Sequence, residues 1–282
     1  MRAVIDGGLA LQESVNASVQ PLDYERRASA LISKVPAVTS AFWLIKICAT
    51  TVGETGGDAL SMSLNLGYAI STAIFLAFFI ITVTLQVSAK RFHPFLYWAV
   101  VVATTTVGTT LSDFLDRSAG LGYVYSSIIE FAAVLAVLFI WRRTTGRIEF
   151  ENITTRTNES FYWLTILVSN TLGTALGDFV ATDTHLGFER GALVFGGLIM
   201  LVGAARFLTN IPGSVLFWSA YVLTRPLGAT LGDVLTKPKD EGGMDLSRIT
   251  SSLVLAAAMV VLILLSSRLR RPTPGAIYSP PE

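Results

Sequence analysis

The run Thr51-Val52-Gly53-Glu54-Thr55-Gly56-Gly57-Asp58 decides how this chain is read, because it returns three times without a gap. The later copies are Thr106-Val107-Gly108-Thr109-Thr110-Leu111-Ser112-Asp113, Thr171-Leu172-Gly173-Thr174-Ala175-Leu176-Gly177-Asp178 and Pro226-Leu227-Gly228-Ala229-Thr230-Leu231-Gly232-Asp233. Nine residues after each Asp stands another glycine: Gly67, Gly122, Gly187 and Gly242. The leading glycines are 55, 65 and 55 residues apart. A fixed period of this size marks a repeated supersecondary unit, and the spacing fits a hairpin that was duplicated and whose product was duplicated again.

What kind of unit follows from hydropathy. Only 15% of the 282 residues are charged, against about a quarter in soluble domains, and the mean hydropathy is +0.58. Apolar windows of bilayer-spanning length recur at 41–60, 66–88, 95–114, 121–141, 161–180, 187–208, 214–235 and 246–267. The fold predicted is an all-α integral membrane protein of eight transmembrane helices, two per repeat. Its expected parts are an N-terminal segment 1–36, with a short helix around Tyr24–Ser33, a first four-helix half 37–145 and a linker 146–160. A second half 161–267 and a disordered basic, Pro-rich tail 268–282 follow. The first residues carry no secretory signal pattern, and Cys48, the single cysteine, precludes an intrachain disulfide. Lys and Arg predict orientation: thirteen fall on the side of the termini and five, Arg117, Arg190, Lys237, Lys239 and Arg248, on the other. Both termini are expected to be cytoplasmic.

Two-helix units enter the membrane in one direction, so the repeats are parallel and all four motifs lie at one depth. Gly53/Gly57, Gly108/Ser112, Gly173/Gly177 and Gly228/Gly232 form the small-xxx-small pattern that lets helices approach closely. Beside this seam runs a stripe at i, i+4 spacing, hence on one face: Lys46, Thr50, Glu54, Asp58; Val101, Thr105, Thr109, Asp113; Ile166, Asn170, Thr174, Asp178; Tyr221, Arg225, Ala229, Asp233. The even helices are apolar nearly all round apart from Glu130. Polar stripes are costly against lipid, so helices 1, 3, 5 and 7 are expected inside and 2, 4, 6 and 8 outside, with the aspartates converging on a central axis.

The aspartates read in two ways. Either they cap helix ends just outside the hydrocarbon, where the helix dipole disfavours them, or they form a ring that binds a cation or titrates protons. Lys46 and Arg225 are expected to pair with members of the acid set Glu54, Asp58, Asp113, Glu130, Asp178 and Asp233. His93 and His185 fall in loops on opposite sides, which with one cysteine argues against a zinc or haem site. No phosphate-binding or dinucleotide fingerprint is present. Carboxylate and hydroxyl oxygens suit hard cations such as Mg²⁺, Mn²⁺ or Ca²⁺. Intramembrane aspartyl proteases carry Gly-x-Gly-Asp, which Thr55-Gly56-Gly57-Asp58 and Ala175-Leu176-Gly177-Asp178 do not match. No enzymatic activity is expected.

The repeated Leu-Gly-Asp and the run Leu231-Gly232-Asp233-Val234-Leu235-Thr236-Lys237-Pro238 resemble, over residues 40–267, a family of uncharacterised bacterial inner-membrane proteins with four Gly-Asp repeats. That resemblance implies a bacterial inner membrane and the eight-helix topology. More loosely, Glu54-Thr55-Gly56-Gly57-Asp58 is similar to the Glu-x-Gly-Asp motif of manganese and calcium cation/proton exchangers, with one residue more between Glu and Gly-Asp. Together these readings predict transport of a small divalent cation such as manganese, with proton-coupled export as one version. Asp58, Asp113, Asp178, Asp233 and Glu54 are the metal ligands expected. Thr50, Thr105, Thr109, Asn170, Thr174, Lys46, Arg225 and Glu130 are expected to line or gate the route. The alternative is a non-transporting scaffold or partner subunit with structural aspartates. Besides the transported ion, no cofactor and no nucleic acid is expected; lipid is the partner, and a homo-oligomer is compatible.

Overall fold

The computed structural model describes residues 36, 38–148, 153 and 155–269, and the expected Tyr24–Ser33 helix and most of the 268–282 tail lie outside them. Eight long helices follow one another: α1 (Ser40–Asp58), α2 (Gly67–Ser88), α3 (Pro94–Asp113), α4 (Gly122–Thr145), α5 (Arg156–Asp178), α6 (Phe188–Leu208), α7 (Gly213–Thr236) and α8 (Arg248–Leu269). Six are long and apolar enough to cross a bilayer by themselves; α1 and α7 fall short, because they carry Lys46, Glu54, Asp58, Arg225 and Asp233. The chain is a multi-pass membrane protein. One boundary moves: α5 starts at Arg156, so its first turn and a half lies in the stretch expected as linker. Thr155 explains this, since its hydroxyl accepts from the Asn158 amide as an N-cap.

The odd helices close into a ring, α1 against α3, α3 against α5, α5 against α7 and α7 against α1. The even helices form the outer layer, displaced by one unit. α2 packs along α3, α4 along α5, α6 along α7, and α8 returns to α1. Each repeat thus covers its successor rather than itself, and the fourth covers the first, so no unit completes its packing alone.

The glycine seam sets the ring. A Cβ added at Gly53 falls on Thr105 of α3; at Gly108, within 2.9 Å of the Asn170 carbonyl carbon of α5; at Gly173, on Arg225 of α7; at Gly228, on Thr50 of α1. Glycine of one unit therefore receives the stripe residue of the next, four times around. The lower notches repeat the rule, Gly57 against Thr109, Gly177 against Ala229 and Gly232 against Glu54. Hydrogen bonds reinforce the first interface: the Thr105 hydroxyl donates to the Ala49 carbonyl (3.2 Å) and that of Thr109 to the Gly53 carbonyl (3.1 Å).

The aspartates do not end their helices, contrary to the capping alternative. After Asp58, Asp113 and Asp178 the backbone widens into a π-helical turn, Ala59–Ser63, Phe114–Ser118 and Phe179–Asp183, with i+5 bonds such as Leu64 N–H to Ala59 C=O at 2.9 Å. Such turns are rare and recur at functional sites. The chain then reverses at Gly67, Gly122, Gly187 and Gly242, whose φ values are +74°, +71°, +77° and +85°. This is why a glycine follows each Asp by nine residues. Gly67 has nothing within 4 Å of an added Cβ, so Gly67→Ala carries only the left-handed backbone penalty, about 1–2 kcal/mol. Chemical unfolding in detergent is expected to show that loss, with no change in the packing of the ring.

Candidate functional site

The repeat stacks the stripe into layers across the ring. At one end each odd helix opens with an aromatic residue followed by Trp: Phe42-Trp43, Tyr97-Trp98, Tyr162-Trp163 and Phe217-Trp218. Ring centroids link each aromatic to a neighbouring unit's Trp: Phe42 to Trp98 at 5.5 Å, Tyr97 to Trp163 at 5.3 Å, Tyr162 to Trp218 at 5.8 Å and Phe217 to Trp43 at 5.9 Å. The Tyr97 and Tyr162 hydroxyls share a hydrogen bond of 2.7 Å. Contacts of this kind contribute about 0.5–1.5 kcal/mol each beyond burial, and together they close that end.

Above this floor lies Lys46, fully buried, its ammonium 4.2 Å from the centroid of the Tyr221 ring. The expected pairing of Lys46 with an acid is not found: its Nζ has no hydrogen-bond acceptor. The reason is depth, since the carboxylates start two turns higher on α1. Thr50 and Thr105 come next, but they fill the notches of Gly228 and Gly53. The Thr50 hydroxyl donates back to its own helix at Ile47, and Asn170 donates to the Thr104 hydroxyl at 3.0 Å. Packing rather than lining a route is what these three do here.

The expected pairing of Arg225 is found. Its Nη2 lies 2.9 Å from the Glu54 carboxylate and 2.6 Å from the hydroxyls of Thr109 and Thr174, so one guanidinium reaches all three other odd helices. Arg225 is fully buried and Glu54 nearly so. The Arg225–Glu54 pair thus ties the four odd helices together at this layer.

The four aspartates occupy the next layer, each at most 2% exposed. Here the sequence reading missed partners. Arg117 spans Asp113 (3.3 Å) and Asp178 (3.1 Å); Lys237 spans Asp233 (3.3 Å) and Asp58 (3.9 Å); Arg248 lies 3.5 Å from Asp58. Arg117 and Lys237 stand 120 residues apart, each four residues after its own Asp and each bridging to the next unit's Asp. The ring of four is thus two equivalent pairs, as the second duplication requires. At Lys237, just past the end of α7, burial pulls the ammonium's pKa down, but the Asp233 and Asp58 carboxylates outweigh it and the net shift is upward. Lys237 therefore remains a cation at neutral pH. Glu130, expected to belong with these acids, sits apart on α4, near Asp116, whose carboxylate accepts from Ser112 at 3.3 Å.

Glu54, Asp58 and Asp233 each offer a carboxylate oxygen within 4.8 Å of the other two, and all three are buried. Those three are the metal-ligand candidates the fold brings together most closely; Asp113 and Asp178 belong to the Arg117 bridge.

Comparison with known proteins agrees with the repeat. Residues 41–92, 96–147, 161–211 and 216–272 each match one family model, described as Repeat of Unknown Function (DUF347). No curated protein and no solved structure matches the chain.

Proposed function

The chain belongs to the family built on this repeat, and from four repeats closed on one acidic centre we propose that it transports a small divalent cation, manganese being the type. The observation that carries this is the convergence of Glu54, Asp58 and Asp233 oxygens within 4.8 Å in a buried layer. Hard cations take carboxylate and hydroxyl oxygens, and Thr109 holds a hydroxyl beside Glu54. In the closed state the tethered cations Arg225, Lys237 and Arg248 neutralise these carboxylates. An entering ion displaces them and is displaced in turn, which gives a binding site that does not trap its cargo. Entry from the aromatic end requires the Phe42–Trp98 to Phe217–Trp43 collar to part. No bond of a substrate is made or broken in this reading.

We place the protein in a bacterial inner membrane with both termini, and hence the aromatic collar, in the cytoplasm. The charge bias supports this more strongly once the site is known: three of the five basic residues on the far side, Arg117, Lys237 and Arg248, are held by the aspartates. Export coupled to inward proton movement is the version consistent with carboxylates facing outward.

Reconstituted vesicles loaded with a Mn²⁺-sensitive dye test the proposal. Asp58→Asn and Asp233→Asn are expected to lower the apparent Mn²⁺ affinity at least as much as the roughly 10–100-fold typical of losing an outer-shell partner. Ion movement that is unchanged in both correctly folded variants sinks the metal reading, and transport without any pH change inside sinks the proton coupling. A second reading, a scaffold with structural aspartates, is favoured by one observation: every Asp of the ring already has a basic partner. It predicts no Mn²⁺ movement even for the unaltered protein.

A further inference from the structure

We propose that Lys46 and Arg225 together form a binding site for one small monoanion of chloride size, between the aromatic floor and the Glu54 layer. Two fully buried basic side chains, Lys46 and Arg225, lie in these adjoining layers. Arg225 spends Nη2 on Glu54, Thr109 and Thr174, while its Nε and Nη1 have no acceptor. Lys46 Nζ has none either, and the charged neighbour within its electrostatic reach is Arg225, another cation. Beside these two basic groups stands one carboxylate, Glu54, bonded to Arg225 Nη2. Three neighbouring polar side chains are spent elsewhere: Thr50 and Thr105 donate to backbone carbonyls and Asn170 to Thr104.

A buried charge without a partner is among the costliest features a fold can carry. The Tyr221 ring 4.2 Å from Nζ offsets part of that cost, but a ring face accepts no ammonium proton in the way an anion does. With Lys46 carrying its proton when the anion enters, the surplus of one charge selects a monoanion, and the tight glycine-packed ring selects a compact one. A cavity of about 240 Å³ lies at the aromatic end, lined by Phe42, Ile45, Phe92 and Trp98 and, from α8, by Ser266 and Ser267. The site shares Arg225 and Glu54 with the cation reading, and the chelator in the assay below separates the two.

The test uses the purified full-length protein in detergent, in gluconate buffer containing a metal chelator, with ³⁶Cl⁻ measured by equilibrium dialysis. Charge balance predicts saturable binding of about one chloride per chain, displaced by bromide or nitrate and not by sulfate. Lys46→Met is expected to weaken binding by roughly tenfold or more, while Lys46→Arg keeps it. If the wild-type protein binds no chloride saturably, or if Lys46→Met binds as the wild type does, the proposal is overturned. Should Lys46→Met not fold, the thermal midpoint of the wild type decides: at constant ionic strength it rises when chloride replaces gluconate, and an unchanged midpoint refutes the site. Displacement by acetate as effective as by bromide identifies a compact carboxylate as an equal occupant and leaves the monoanion assignment standing.

Discussion

Arg225→Met is expected to lose about 3–5 kcal/mol of stability, the penalty for stranding one member of a buried ion pair. The stranded partner is Glu54, 4% exposed at the side chain and 2.9 Å from the guanidinium. It keeps the Thr109 hydroxyl at 3.4 Å, and one hydroxyl cannot replace a charge-assisted bond. The double variant Arg225→Met with Glu54→Gln removes both charges and is expected to recover most of the loss, since an ion pair replaced by neutral groups of like volume is commonly neutral or even stabilising by about 1–4 kcal/mol. Denaturant unfolding in detergent micelles measures all three proteins. A double variant as unstable as the sum of the singles would show that the three-helix bridge from Nη2 is itself structural, beyond charge compensation. A recovered double variant that no longer binds Mn²⁺ would separate the part of Glu54 that is fold from the part that is ligand.

The contrast between helices that were legible in the sequence and contacts that were not follows from what each depends on. Repeats, the inner and outer sets and the depth of the aspartates follow from spacing and local chemistry, and the structure has all of them. Partner choice among α2, α4, α6 and α8 was not legible, because a helix that is apolar all round has no marked face to say which neighbour it covers; the one-unit displacement is a property of the closed ring. Two other features were written plainly but in a different alphabet from the glycines and acids. The aromatic-Trp pairs at 42–43, 97–98, 162–163 and 217–218 share the 55, 65 and 55 spacing. Arg117 and Lys237 enter the charge count on the far side, yet each follows its Asp by four residues, which is salt-bridge spacing on a helix. Lys46 is the informative failure. The expectation that a buried ammonium must meet a carboxylate is sound physics, and the absence of that contact is what makes its layer worth testing.

Gly108→Ala is expected to strain the ring through backbone overlap. The added Cβ meets the Asn170 carbonyl carbon at 2.9 Å and the Thr171 nitrogen at 3.0 Å, and backbone cannot step aside as a side chain can. α3 and α5 must separate, which opens the ring through which Arg225 reaches Thr109 and Thr174. Overpacking of this sort costs about 1–3 kcal/mol, occasionally more, and it outweighs the gain of up to about 1 kcal/mol that alanine brings to a helix interior. Gly53→Ala differs in an instructive way. Its Cβ falls on the Cβ and hydroxyl of Thr105, while the nearest backbone atom there is 3.1 Å away. Adding Thr105→Gly should therefore restore part of the stability lost in Gly53→Ala, whereas Asn170→Gly should do little for Gly108→Ala. Gly196→Ala, with nothing within 4 Å of the new methyl, supplies the baseline and is expected to be neutral or slightly stabilising. Equal unfolding midpoints for the alanine variants at 53, 108 and 196 would mean that the seam glycines do not set the ring. A rescue confined to the 53/105 pair would show that unit-to-unit spacing is set by side chains at one interface and by backbone at the next. The four repeats, alike in pattern, would then be unequal in mechanics as well as in charge.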